Sequence, residues 1–296
     1  MARNRHVRPA GTDGPRRGTG PVPARQRRRA YSQNFLIDTG VARRVVRASG
    51  VGPGDDVVEV GAGEGMLTRY LAPACGRLTA YEIDPRLAEA LRLRFASTVR
   101  VVPTDFRRAR APREPFHVVG NIPYSATAGI VRWCLAASGF PAASGSDTGR
   151  PALVSATLIT QLEYARKRTG GFGRWSRLTV HTWPLTAWST AGRVPRDRFR
   201  PVPGVDSAIL RLVRRPRPLV PRSELESYRE LVDLGFSGVG GSLRASLLRA
   251  HPARRVDSAL SAAGVARSAL VAEVSPDGWI LLHTRLNGRA AHPGAR

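Results

Sequence analysis

Residues 57–65 read Val57-Val58-Glu59-Val60-Gly61-Ala62-Gly63-Glu64-Gly65, and this stretch decides the fold. A short β-branched run that stops at a glycine is the pattern of a buried strand. Glycine then recurs at 61, 63 and 65, so the backbone there can turn tightly and approach a ligand closely. Apolar residues resume from Met66 to Ala72, as expected of a following helix. Strand, glycine loop and helix together open an α/β unit whose ligand sits against the loop.

Working outward, Leu78-Thr79-Ala80-Tyr81 reads as a second strand and Val99 to Val102 as a third. Between them Pro85 to Phe95 is predicted helical, with Asp84 as its cap and Pro85 in the first turn. Phe116 to Val119 and Leu153 to Ile159 read as the fourth and fifth strands, and Leu178 to Leu185 and Ser207 to Val213 as the last two. Upstream, Asp38 to Ala48 has apolar residues near helical spacing, ending at Gly50 and the turn Gly52-Pro53-Gly54. The alternation predicts an α/β domain with a mostly parallel sheet. Arg214 to Pro221 is rich in proline and arginine and reads as a linker. Beyond it, Leu225 to Phe236, Leu243 to Leu248, Val256 to Ala263 and Arg267 to Val271 read as helices of a small all-helical C-terminal domain. The expected organisation is a flexible basic arm at 1–30, an α/β domain at 31–215, a helical domain at 216–288 and a flexible tail at 289–296, with a surface loop at 137–150.

Charge is the second clue. The 296 residues carry 47 basic and 22 acidic side chains, a formal net charge of +25, and Lys167 is the single lysine among the basic ones. Base composition explains a choice of arginine over lysine but not the excess. So positive a surface attracts polyanions, and nucleic acid is the foremost of them. Residues 1–30 hold nine arginines against one acid, Asp13, which suits sequence-independent phosphate contact, though an inert tail has the same composition. An apolar fraction of 42% excludes a wholly disordered chain. No run approaches the length of a membrane span. Two cysteines make no disulfide framework, and the histidines are scattered without ligand spacing, so no metal is expected. Cys75, Cys134 and His117 read as structural. A cytoplasmic protein is expected, with no membrane partner and as a monomer.

The glycine loop and the acid that ends the next strand define a cofactor site. Glu82 lies 21 residues after Gly61, the spacing at which a carboxylate accepts from ribose hydroxyls. Glu64 within the loop would repel a pyrophosphate but not S-adenosylmethionine, which has no phosphate and a cationic sulfonium; a carboxylate there also complements a helix N-terminus. Asp105 ends the third strand, where it can accept from an adenine amino group, and Phe106 follows it as a face for the ring. The expected fold is therefore a Rossmann-like, S-adenosylmethionine-dependent methyltransferase fold.

Asn121-Ile122-Pro123-Tyr124 follows the fourth strand, in the crevice at the carboxyl end of a parallel sheet. The exocyclic nitrogen of adenine is a poor nucleophile because its lone pair is delocalised into the ring. The Asn121 side-chain oxygen and a backbone carbonyl next to Pro123 can each accept one of its N–H groups. That favours a pyramidal nitrogen and stabilises the positive charge that develops on it. Pro123 fixes the loop without adding a donor, and Tyr124 offers a flat face for the base. Standing alone, such a tetrapeptide is an ordinary turn; after a glycine loop and two strand-end acids it reads as catalytic. The target base must be unpaired or flipped out. Phe199 is the candidate for a second aromatic wall, with a core aromatic at a domain junction as its alternative. Arg193, Arg196, Arg198 and Arg200 around it suit a phosphate backbone.

Ser32-Gln33-Asn34-Phe35-Leu36, the glycine loop, Asn121-Ile122-Pro123-Tyr124 and the segment from Phe199 to Ser207 resemble, in this order, the rRNA adenine N6-methyltransferases. The resemblance covers roughly 31–285. It is nearer to the Erm branch, which methylates one adenine in the peptidyl-transferase loop of 23S rRNA and so blocks macrolides, lincosamides and streptogramin B. Ser32 before Gln33, Ile122, and Val194-Pro195-Arg196-Asp197-Arg198-Phe199 carry that distinction. The resemblance implies that the methyl donor touches Asn34, Leu36, Gly61, Glu82, Asp105 and Asn121; Gly63 is expected beside them as part of the glycine loop. The alternatives are a small-subunit rRNA dimethylase acting in ribosome assembly, or a catalytically silent RNA-binding factor with the same fold. Glycine enrichment between Gly235 and Leu248 departs from both branches and puts the RNA contacts of the helical domain in doubt.

Overall fold

A computed structural model of the protein describes residues 33–140, 152–238 and 241–287. The expected arm at 1–30, most of the expected loop at 137–150 and the expected tail at 289–296 lie outside the described residues. The described residues belong to one compact unit. Its elements begin with β1 (Phe35–Leu36), α1 (Thr39–Ser49), β2 (Asp56–Val60), α2 (Thr68–Leu71), β3 (Arg77–Glu82), α3 (Pro85–Phe95), β4 (Val99–Pro103), β5 (Phe116–Asn121) and α4 (Thr127–Ala137). There follow β6 (Leu153–Gln161), α5 (Leu162–Arg168), α6 (Arg177–Thr182), β7 (Thr186–Val194), β8 (Phe199–Arg200) and β9 (Ser207–Arg214). The last four helices are α7 (Leu225–Phe236), α8 (Leu243–Leu247), α9 (Ala253–Ala262) and α10 (Pro276–Asn287).

Seven strands form one sheet in the order β4-β3-β2-β5-β6-β9-β7. The first five are parallel, and β9 runs antiparallel to both of its neighbours. The chain builds outward from β2 to β3 and β4, then crosses to β5 on the other side. That reversal opens a crevice at the carboxyl ends of β2 and β5, where open α/β sheets bind ligands. Alternate residues of each strand feed opposite faces, as a period of two demands. Val58, Val60 and Val118 join a core with α4, whereas Val57 and Val119 join one with α1 and α3. The helices start where their caps place them. The Asp38 carboxylate accepts from the Val41 N–H at 2.8 Å to open α1, and Asp84 accepts from the Arg86 N–H at 2.9 Å to open α3.

Gly120 fixes how closely the two central strands approach. It pairs with Val60, and a Cβ at that position would lie 2.6 Å from the Val60 carbonyl oxygen. Gly120→Ala therefore forces the strands apart beside the crevice. It is expected to cost about 1–3 kcal/mol, as overpacked interiors do. An unchanged unfolding midpoint in a denaturant titration would contradict this.

Two expectations are corrected. Residues 178–185 are not a strand: α6 occupies 177–182, and the neighbouring strand is β7. The threonines look like strand residues, but Ser176 caps the helix by accepting from the Thr179 N–H. The Thr182 hydroxyl donates back to the Leu178 carbonyl at 2.8 Å, a bond open to β-branched hydroxyl residues in a helix. Residues 267–271 are likewise not a helix: only a short 3-10 turn, Val271–Glu273, forms there, and the next helix is α10. Pro276 and Gly278 disguise α10, yet proline in the first turn forfeits no intrahelical bond. Helices α7 to α10 share a third core that draws in Val180 and Val220 from the preceding segments. The buried Tyr228 hydroxyl donates to the Val180 carbonyl at 2.9 Å, and Asp233 on α7 pairs with Arg177 and His181 on α6. Among the described residues no helix is long and apolar enough to cross a membrane.

Candidate active site

The sheet order sets four strand ends side by side. Along the crevice they present Asp105 after β4, Glu82 at the end of β3, Gly61 after β2 and Asn121 at the end of β5. Gly61 and Gly63 both have positive φ, 68° and 55°, so the loop needs glycine at each. A Cβ on Gly61 would reach to 3.5 Å from the Asn121 carbonyl oxygen, and one on Gly63 would press on the Phe35 ring at 3.1 Å. The glycines thus keep the floor of the crevice flush between loop, β5 and β1.

Glu82 is held by the loop it faces. Its two carboxylate oxygens accept from the Gly63 N–H at 2.7 Å and the Asp84 N–H at 2.9 Å, and Gln33 Nε2 donates at 3.4 Å. Burial raises its pKa, against the pull of those N–H groups. Beneath the loop lies Glu59, 1% exposed, whose carboxyl burial pushes up to about 8, with the charge of Glu82 adding to the shift. A carboxyl held neutral there adds no negative charge behind Glu82. Glu59 lies in the strand before the loop, in the run the pattern marks as buried, but no motif singles its carboxyl out as part of the site.

Asp105 sits at its expected place, and both of its oxygens accept from the Arg107 guanidinium, at 2.6–3.1 Å. That pairing holds its pKa below the ordinary carboxylate value. Oδ1 also accepts from the Arg107 backbone N–H at 2.9 Å, so a further donor would take the place of the Arg107 Nε contact that the two oxygens share. Phe106 is not a face of the crevice: it is 5% exposed and packs against Tyr81 and Trp133.

Asn121 is oriented by β1. Its Nδ2 donates to the Asn34 carbonyl at 2.8 Å, which fixes the amide and leaves Oδ1 as its acceptor end. The Pro123 carbonyl accepts from the Ala126 N–H at 2.9 Å, closing the turn into α4. The carbonyl next to the proline that remains for a ligand is that of Ile122, whose side chain anchors the corner in the core at 2% exposure. Tyr124 is half-buried, and its hydroxyl shares a 2.7 Å hydrogen bond with the Ser207 hydroxyl on β9. Burial raises the Tyr124 pKa.

Asn34 and Leu36 reach the site through β1, which pairs antiparallel with β8 (Leu36 opposite Phe199), and Leu36 is buried. An ion pair between Arg198 and Asp38 at 2.8 Å ties the same two segments. The pairing turns Phe199 inward. At 2% exposure it packs in the core with Leu36 and Val194, the place of a core aromatic. Arg193 pairs with Asp206, while Arg196 and Arg200 are exposed. Gln33, Phe35 and Ser207 complete the site and were not singled out as functional. Gln33 and Phe35 stood within a quoted motif; Ser207 meets Tyr124 across 83 residues, and no local pattern announces it.

The doubly wound sheet, the glycine loop and the asparagine corner beside it define a methyltransferase. A family model described as ribosomal RNA adenine dimethylase matches residues 24–287. An rRNA adenine N-6-methyltransferase of Streptomyces fradiae is 54% identical over 273 residues, covering 91% of this chain and 82% of its own length. An rRNA methyltransferase of Streptomyces thermotolerans is 50% identical, covering 92% of this chain and 87% of its own. The crystal structure of the 23S rRNA methyltransferase ErmE superposes with a TM-score of 0.79 at 48% identity, over 86% of this chain and 100% of that one. The chain belongs to the ribosomal RNA adenine dimethylase family and, within it, to the Erm-type rRNA adenine N6-methyltransferases.

Proposed function

We propose that this enzyme methylates N6 of one unpaired adenine in the peptidyl-transferase loop of 23S rRNA, with S-adenosylmethionine as donor, and so confers resistance to macrolides, lincosamides and streptogramin B. The observation that carries the chemistry is the order of the four strand ends: Asp105, Glu82, Gly61 and Asn121 stand in line on neighbouring strands. The large-subunit target rests on the 48% identity with ErmE, whose substrate is 23S rRNA.

The residues present fit the donor. The positive-φ glycines leave a cradle that a side chain would fill, and Glu82 and Asp105 offer acceptors for hydroxyl and amino groups. We assign Asp105 to the adenine, Glu82 to the ribose, and Gly61 and Gly63, with Asn34 and Leu36, to the methionine end. When bound, S-adenosylmethionine supplies an electrophilic methyl group on a sulfonium sulfur. Asn121 Oδ1 and the Ile122 carbonyl accept the two N–H bonds of the target amino group and aim its lone pair across the crevice. The same acceptors stabilise the charge that grows on nitrogen, a preorganised electrostatic effect. No strong general base is required, because the alkylated ammonium is acidic and sheds its proton to water. We assign the arm at 1–30 and the helical segment at 216–288 to phosphate contacts with the RNA.

Tyr124 is assigned to stack on the target base. The ring of Phe199 would have to leave the core to serve as a second wall, so Tyr124 is the wall this conformation presents. Tyr124→Ala should cost roughly 5- to 150-fold in kcat/KM, the equivalent of ~1–3 kcal/mol of stacking. Tyr124→Phe, which loses only the bond to Ser207, should cost far less. Equal losses in steady-state assays would assign the role to the hydroxyl instead. Expression in a drug-sensitive host tests the resistance itself. Minimum inhibitory concentrations should rise for all three drug classes with the wild type and not with Asn121→Ala. Unaltered susceptibility with the wild-type protein expressed would contradict the proposal.

A further inference from the structure

Beside the active site lies a groove of about 570 Å³, between α5 with the loop after it and the segment 193–206. A cavity of this volume suits a ligand of nucleotide size. It begins where Tyr124 ends: Ser207 holds the tyrosine hydroxyl, and its chain neighbour Asp206 lines the groove. The two walls are joined at the base by the Leu162 N–H donating to the Asp206 carbonyl at 2.9 Å.

Phe172 stands on the wall at 51% exposure and belongs to no hydrophobic core. Its exposure is built in. Gly170 has φ +73° and packs so tightly on Trp175 that a Cβ would lie 2.5 Å from the ring. The Gly171 N–H donates to the Arg166 carbonyl and the Gly173 N–H to the Gly170 carbonyl, both at 2.9 Å. Trp175 is tied in turn to Ala272 through its own N–H. A short glycine turn thus holds an aromatic ring out beside a guanidinium, since Arg166 lies 5.7 Å from the Phe172 ring centroid. Across the groove, Arg196 makes no ion pair among the described residues. Arg193 pairs with the Asp206 carboxylate, which also accepts from the Arg196 backbone N–H at 2.9 Å, and Arg196 Nη1 donates to the Gly204 carbonyl at 3.4 Å; Glu163 is the remaining acid on the rim. A displayed aromatic face flanked by cations is how a protein takes an unpaired base and its phosphate.

We propose that this groove holds a nucleotide of the substrate strand flanking the target adenine, its base stacked on Phe172 and Arg166 and its phosphate on Arg196. The inference rests on the reading of the enzyme as an rRNA methyltransferase. It adds a subsite outside the adenine pocket, one that secures the strand while the target base is out of its stack.

The test measures methyl transfer to a transcript of the 23S peptidyl-transferase loop, alongside transcripts with one abasic residue at each position flanking the target. Phe172→Ala should raise KM for the intact transcript about tenfold, with a smaller change in kcat, and Phe172→Tyr should restore it. At one flanking position the abasic transcript should raise the wild-type KM to the same degree, and Phe172→Ala should add nothing further there. An unchanged KM for Phe172→Ala, or losses that add at every abasic position, overturns the groove assignment and leaves the methyltransferase reading standing. A wild-type enzyme inactive on the intact transcript overturns both.

Discussion

Asn121→Ala is expected to lower kcat by about 10²- to 10³-fold while the Kd for S-adenosylmethionine changes by no more than a few-fold. The magnitude is that of deleting one preorganised partner of a charge that develops in the transition state. The asymmetry follows from where Asn121 sits. Its Nδ2 is spent on the Asn34 carbonyl, which leaves Oδ1 as the end we assign to the target nitrogen. Asn121→Asp sharpens the test, because a carboxylate would face the Asn34 carbonyl with no hydrogen to donate and would unseat β1 as well. Isothermal titration with the donor and single-turnover transfer separate the two effects. Lost donor affinity with a normal residual rate would remove Asn121 from the chemistry.

Glu82→Gln should do the reverse. Both carboxylate oxygens of Glu82 accept from backbone N–H groups, those of Gly63 and Asp84, in a site that is 1% exposed. Glutamine offers one acceptor where two are used, so one buried N–H loses its partner, at ~1–3 kcal/mol. The glycine loop loosens, and the acceptor we assign to the ribose weakens with it. The Kd for the donor is therefore expected to rise roughly 10- to 100-fold, with kcat at saturating donor largely kept. A variant with normal donor affinity and a collapsed kcat would contradict the assignment. The opposite signatures of Asn121 and Glu82, two strands apart in one crevice, distinguish the reacting end of the site from the holding end.

How much of this was legible in the sequence depends on the range over which each feature is encoded. The loop at 61–65, the cap Asp84 and the strands feeding them are written in a few consecutive residues, and the structure has them where the pattern put them. The family followed from motif order alone. What sequence reading missed is set by tertiary contact. Thr179, Val180 and Thr182 look like a strand until the hydroxyl bonds that let them coil are seen. Pro276 and Gly278 look like a break until the helix is packed around them. Phe199 turns inward because its backbone pairs with Leu36, a partner 163 positions away. Glu59 is chemically unusual only because the sheet buries it. Sequence placed the acids of the site; which of them carry charge, and which are already engaged, depends on the folded surroundings.

The central claim is that Asn121 and its neighbours direct a methyl group to one adenine of large-subunit rRNA. The measurement that tests it most directly is transfer from labelled S-adenosylmethionine to deproteinised rRNA, with the modified base mapped by primer extension. The account predicts a single stop in the 23S peptidyl-transferase loop, absent with Asn121→Ala. Label confined to small-subunit rRNA, or a stop that persists in the variant, would contradict it.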